Sequence, residues 1–218
     1  LIGNSVWLDG SADHLTRSTT SHSSTECVMA CWVQLSTSAG NIGLLGLGTG
    51  TSGSTNNGIW FSDGTLYVYV NGNGLTTNAK YRGIGYYHFL ASFKLDEGAA
   101  ADKSKVFVNG VEVTSFAADP RGSWGTSFAS TATQSVGSNF TNTFLNGSVT
   151  QAIMLDGQSI QGGDVAITDF LDSFTFGTNG SQFGPKADAD IAALASSAGG
   201  NSFCLEFGDA SDLGNDSS

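Results

Sequence analysis

Asn-Gly pairs set among strand-forming residues constrain this chain more than any other feature. Val68-Tyr69-Val70-Asn71-Gly72 and Lys105-Val106-Phe107-Val108-Asn109-Gly110-Val111-Glu112-Val113 are the clearest, and Asn57-Gly58 and Asn146-Gly147 repeat the pattern less cleanly. A two-residue hairpin needs positive φ at its centre, which Asn and Gly reach at least cost. Alternating β-branched and aromatic residues on both sides predict antiparallel strands.

The length of 218 residues suits one β-sandwich or barrel. With 30 Gly and only 2 Pro, the turns depend on glycine. Strands are expected at Asn4 to Leu8, at residues 25–35, at 42–48, at Gly58 to Ser62 paired with Thr65 to Val70 across Asp63-Gly64, at Tyr86 to Phe93, and at Lys105 to Thr114. Residues 115–135 read as irregular, Phe144 to Leu155 as two short strands, and Cys204 to Phe207 as a late strand. Helix is expected only at Asp164 to Phe170 and at Asp188 to Ser197, whose acidic start suits the positive end of a helix dipole.

The formal charge is −11, with only 8 Lys and Arg and no basic cluster. Binding nucleic acid through phosphates needs a basic patch, so that class is excluded, as is attraction to anionic lipid. No run reaches the ~20 apolar residues of a helical membrane span. Cys27 and Cys31 lie four apart on an extended segment, about 13 Å, too far for a bridge. With Cys204 they read as buried apolar thiols, which fits folding in a cytoplasm.

The order of segments resembles the laminin-G-like members of the concanavalin A-like lectin/glucanase superfamily. Trp7-Leu8-Asp9-Gly10-Ser11-Ala12-Asp13-His14-Leu15 is similar to that family's opening strand and turn, and Cys31-Trp32-Val33 to its second strand. Tyr86-Tyr87-His88-Phe89, Lys105 to Gly110 and Phe144 to Gly157 follow in the family's order. The resemblance implies an all-β antiparallel sandwich, a concanavalin A-like jelly roll, over residues 1–157. A loop-rich, partly helical extension over 158–218 is expected to pack on the same domain, with its late strand near 203–207. Phe203 to Phe207 and Leu213 to Ser218 resemble a segment that follows this domain in tailed-phage virion proteins. That narrower resemblance implies a virion surface protein assembled in the host cytoplasm, as capsid decoration or part of a tail fibre. Its expected partners are other virion proteins, symmetric copies of itself and host-surface glycans. The start at Leu1 and the stop inside the tail pattern lead us to expect a portion of a longer polypeptide. The alternative is a secreted or cell-surface carbohydrate-binding module, and a divergent glycosidase stands third.

Hydrolysis of a glycoside needs two carboxylates at fixed separation. The four glutamates, Glu26, Glu97, Glu112 and Glu206, form no Glu-x-Asp-x-x-Glu strand, so no enzyme activity is expected. His14, His22 and His88 accompany no nucleophile elbow, and His88 reads as a satisfied sheet residue. No cofactor is required. Calcium is the metal the oxygen-bearing side chains would suit, and Asp9, Asp13 and Asp156 are its candidate ligands, drawn from a wider set with Asp63, Asp209 and Asp212. Sugars stack on exposed aromatic rings, and Trp60, Tyr81 and Trp124 stand beside loop-like segments as candidates.

Overall fold

The structure, a computed structural model, describes residues 4–19, 22–23, 25–37, 39–49, 55–83, 85–129, 132–139, 143–175, 181–208 and 211–217, with backbone alone at 173–175 and 181–182. In chain order the strands are β1 (Val6–Asp9), β2 (Leu15–Ser18), β3 (Glu26–Leu35), β4 (Asn41–Gly48), β5 (Asn57–Ser62), β6 (Thr65–Val70), β7 (Asn73–Lys80), β8 (Tyr86–Lys94), β9 (Ser104–Val108), β10 (Val111–Glu112), β11 (Phe116–Ala118), β12 (Thr133–Val136), β13 (Asn146–Asp156), β14 (Leu171–Thr175), β15 (Ser181–Pro185) and β16 (Phe203–Leu205). One α-helix, α1 (Asp188–Ser197), precedes β16.

Two antiparallel sheets face each other. The first runs β1-β13-β3-β8-β9-β10, with β16 also paired to β13; the second runs β11-β7-β6-β5-β4-β12-β2. A strand sends alternate side chains to opposite faces, so each sheet contributes one apolar face to the space between. Met29, Cys31 and Val33 of β3, Phe89, Ala91 and Phe93 of β8, and Met154 of β13 meet Leu44, Leu47, Phe61, Val68, Val70 and Leu75 from the second sheet there.

Three tight turns set the registers. Asp63-Gly64, Asn71-Gly72 and Asn109-Gly110 all have positive φ at both residues, between 50° and 79°. That is the mirror-image turn whose twist matches the flanking strands. Asn57-Gly58 and Asn146-Gly147 behave differently from the hairpin reading. Asn57-Gly58 opens β5 and Asn146-Gly147 opens β13. A Cβ on Gly58 would lie 2.1 Å from the Leu45 carbonyl oxygen, and one on Gly147 2.2 Å from that of Gln34. Close approach of neighbouring backbone selects glycine at both places.

Other boundaries also shift. Residues 144–155 hold one long strand, not two short ones, because the register slip between Val149 and Gln151 is absorbed without breaking β13. The stretch read as irregular contains β11 and β12, each held by neighbours remote in sequence. The expected helix at 164–170 is a single 3-10 turn, Ile167–Asp169. The helix at Asp188–Ser197 forms over the expected residues.

The outer face of the first sheet is partly roofed. Val28, Ala30, Leu90, Phe107, Ile153 and Leu155 point outward there and pack against Val165, Phe170, Ile191 and Ala195 of the C-terminal extension. The two hydrophobic clusters of the described residues are this one and the layer between the sheets, so the outer face of the second sheet lies outside both.

Candidate functional site

That outer face carries an aromatic cluster built by one hairpin. Across Asp63-Gly64 the β5–β6 register sets Trp60 opposite Tyr67 and Gly58 opposite Tyr69. Ile59, Phe61, Leu66, Val68 and Val70 point into the core, so Trp60, Tyr67 and Tyr69 point out together, all partly exposed. The Trp60 indole stands edge-on to both tyrosines, at 5.4 Å and 65° from Tyr67 and 5.1 Å and 85° from Tyr69. The two tyrosine rings are 6.1 Å apart and inclined by 35°. Edge-to-face pairs of this kind are favourable because the positive ring edge meets the negative ring face.

Small residues flank the cluster. On β7, Gly74 sits opposite Tyr69 and Thr76 opposite Tyr67. A Cβ on Gly74 would come within 2.7 Å of the Tyr69 ring, so the ring lies down on the glycine backbone. On the other side Gly43 faces Trp60 across β4–β5. The backbone of Ser138, Asn139 and Thr143 crosses over Gly43 and walls that side. Burial pushes the Tyr69 phenol above its ordinary pKa, with the Tyr67 hydroxyl adding to the shift, so Tyr69 stays a neutral donor at neutral pH. The Trp60 Nε1–H is buried without a hydrogen-bond partner among the described residues.

The other aromatic candidates are placed elsewhere. Trp124 is only 4% exposed and belongs to the layer between the sheets, where its carbonyl accepts a 2.6 Å bond from the Lys103 ammonium. Tyr81 packs against the same layer, edge-on to Phe61, Tyr87 and Phe89. Neither ring contacts the Trp60 cluster among the ring pairs of the described residues. The spacing held a usable signal for the two tyrosines: a hairpin centred on Asp63-Gly64 pairs 60 with 67, and alternation puts 69 on the same face.

The three carboxylates suggested for calcium do not converge. Asp9 is exposed and caps its own turn, accepting the Ser11 N–H at 2.7 Å. Asp13 is exposed. Asp156 is 5% exposed and already occupied: it accepts from the Ser23 N–H at 2.5 Å and the Asn201 amide at 3.1 Å, and His22 Nδ1 lies 3.2 Å away. Among the described residues no three His, Cys, Asp or Glu side chains are grouped to hold a metal. Asp63 accepts from the Gly40 N–H in a loop contact, and Asp209 lies outside the described residues.

Carboxylates suited to catalysis are also dispersed. Glu26 pairs with Lys94 across β3–β8, and Glu206 lies near the C-terminal tail, its pKa raised by burial and by Asp188. None of the four glutamates is on β5, β6 or β7. His88 is buried among sheet residues and its pKa is lowered to about 3 by that burial; its Nδ1 has no partner among the described residues, which departs from the satisfied histidine expected.

No protein-family model and no curated protein matches the sequence. Solved structures do match the fold. A heptameric SAP-like pentraxin from Limulus polyphemus superposes with a TM-score of 0.53 at 13% identity, over 85% of this chain and 97% of that one. A Bacteroides ovatus protein provisionally described as carbohydrate-binding gives 0.52 at 11% identity, over 84% of this chain and 60% of its own. Domains LG4-5 of the mouse laminin α1 chain give 0.50 at 13% identity, over 69% of this chain and 40% of that one. The chain therefore has the two-sheet, concanavalin A-like sandwich that lectin and laminin-G domains share.

Proposed function

We propose that this chain is a non-catalytic carbohydrate-binding module whose ligand face is formed by Trp60, Tyr67 and Tyr69. One observation carries the reading: three aromatic side chains from a single hairpin share the sheet face that the described residues of the C-terminal extension leave uncovered. Sugar rings present C–H patches that stack on aromatic faces, while their hydroxyls bond to polar tips such as the tyrosine phenols. Strand-borne sites hold such groups more rigidly than loops do. The net charge of −11 directs the site toward neutral glycans, since an anionic sugar would be repelled on approach.

The likeness to a protein described as carbohydrate-binding supports this class and not a particular sugar. The finer reading, a tailed-phage virion protein that meets host glycans, rests on the tail resemblance at Phe203 to Phe207 and Leu213 to Ser218. In this reading copies arranged by symmetry would multiply a weak single-site affinity.

The test is a glycan array followed by calorimetric titration of each hit against the wild type and Tyr67→Ala. Binding of a neutral glycan that weakens at least about tenfold in the variant is expected from loss of one stacking partner. Absence of any binding at millimolar glycan overturns the reading.

A further inference from the structure

A cavity lies away from the aromatic face, at the flank where the sandwich would otherwise be open. It has a volume of about 120 Å³ and sits between β2 and β12 of the second sheet and β16 of the first. Leu15, Val136, Phe203 and Leu205 make its apolar wall. Register explains the lining: Leu15 pairs with Val136 and Arg17 with Gln134, so all four project from one face of the β2–β12 pair toward β16.

The polar groups define what the cavity can take. Arg17 Nη1 lies 3.0 Å from Asp216 Oδ2 and donates to the Ser202 carbonyl at 3.0 Å. Asp216 Oδ1 accepts from the Cys204 N–H at 3.0 Å. The guanidinium and carboxylate thus neutralise each other at the exposed rim, with side chains 41% and 30% accessible. A charged ligand would have to break that pair or face one member of it. Gln134 also lines the cavity and is 1% exposed; its Nε2 donates to the Asn201 carbonyl at 2.7 Å, and its Oε1 is buried with no partner among the described residues. A buried acceptor left unmatched is unfavourable, and a donor arriving from a ligand relieves it.

We infer that this cavity is a binding site for a small neutral molecule with an apolar body and a single hydroxyl donor, a phenol or a compact alcohol, whose O–H is accepted by Gln134 Oε1. The size is of the right order: an enclosed apolar cavity of ~150 Å³ takes a benzene ring, and this smaller one opens to solvent at the Arg17–Asp216 rim, where a phenol can project. A free sugar does not suit the site, since its many hydroxyls would meet a mostly apolar wall with one vacant acceptor. The site is thus separate from the glycan face in both position and ligand class.

Phenol and anisole, which differ by whether the oxygen carries a proton, are the probes. Each is titrated into isotopically labelled protein while amide shifts are followed by NMR. Phenol should perturb the Gln134, Val136 and Leu205 amides saturably, and bind about tenfold more tightly than anisole, the factor expected for one buried hydrogen bond. Gln134→Met keeps the length of the side chain and removes the acceptor, so it should abolish the preference while leaving glycan binding by Trp60 unchanged. Val136→Phe fills the cavity and should remove both ligands; the Met variant stands alone if that protein does not fold. Equal binding of phenol and anisole to the wild type, survival of the preference in Gln134→Met, or no saturable shift at these amides overturns the inference.

Discussion

The Trp60 indole meets the Tyr69 ring edge-on at 5.1 Å and 85°, and the tyrosine in turn rests on Gly74. The orientation of one side chain is therefore set by its cross-strand neighbour and by the missing side chain of another. A double-mutant cycle between Trp60→Leu and Tyr69→Leu should give a coupling of about 0.5–1.5 kcal/mol in urea unfolding, the range for aromatic pairs. Gly74→Ala should lift the Tyr69 ring and weaken glycan binding with little loss of stability; calorimetry beside a thermal melt separates the two effects.

Asp156 joins three segments by its side chain, the loop before β3 at His22 and Ser23, β13 itself, and the loop before β16 at Asn201. Asp156→Ala leaves buried donors unmatched and should destabilise the fold by about 3 kcal/mol. Chemical denaturation would measure it. Because the carboxylate is already occupied, millimolar calcium should leave the wild-type melting temperature unchanged; an upward shift would restore Asp156 as a metal ligand.

His88 predicts a pH dependence. Burial holds its folded pKa at about 3, whereas an unfolded histidine takes up a proton near ~6.5. Below that value the unfolded state binds one more proton than the folded state. The His88 contribution to stability is therefore undiminished above about pH 6.5 and declines by roughly 1.4 kcal/mol per unit toward pH 3. His88→Phe should flatten this part of the profile, as read by urea unfolding between pH 7 and about 4.5, before most carboxylates titrate.

Two glycines with positive φ separate conformational from steric cost. Gly40 has φ 75° and no atom of the described residues within 4 Å of where a Cβ would stand, so Gly40→Ala should cost about 1 kcal/mol. Gly58→Ala would drive a methyl into the Leu45 carbonyl at 2.1 Å and must part β4 from β5. It should lose more than about 3 kcal/mol, the scale of a severe core change. Because β5 carries Trp60, the same variant should also lose glycan binding, which a folded fraction purified by size exclusion would reveal.

The sequence by itself determined the hairpins, and through them much of the candidate site. Asp63-Gly64, Asn71-Gly72 and Asn109-Gly110 act through φ preferences of two adjacent residues, so no distant contact is needed to read them. Once Asp63-Gly64 is a turn, the pairing of Trp60 with Tyr67 follows by counting, and strand alternation adds Tyr69. The helix at Asp188–Ser197 was legible for the same local reason. Tertiary structure alone decided which aromatic residues face solvent. Trp60, Tyr81 and Trp124 look alike beside loop-like segments, yet one lies outward, one packs at the rim of the core and one is buried in it. It also decided that the extension would cover the outer face of the first sheet and not that of the second, and that Asp156 would be spent tying loops together. Burial depends on what arrives from far along the chain, and Gly58 and Gly147 are glycines because of carbonyls that only the folded sheets bring near.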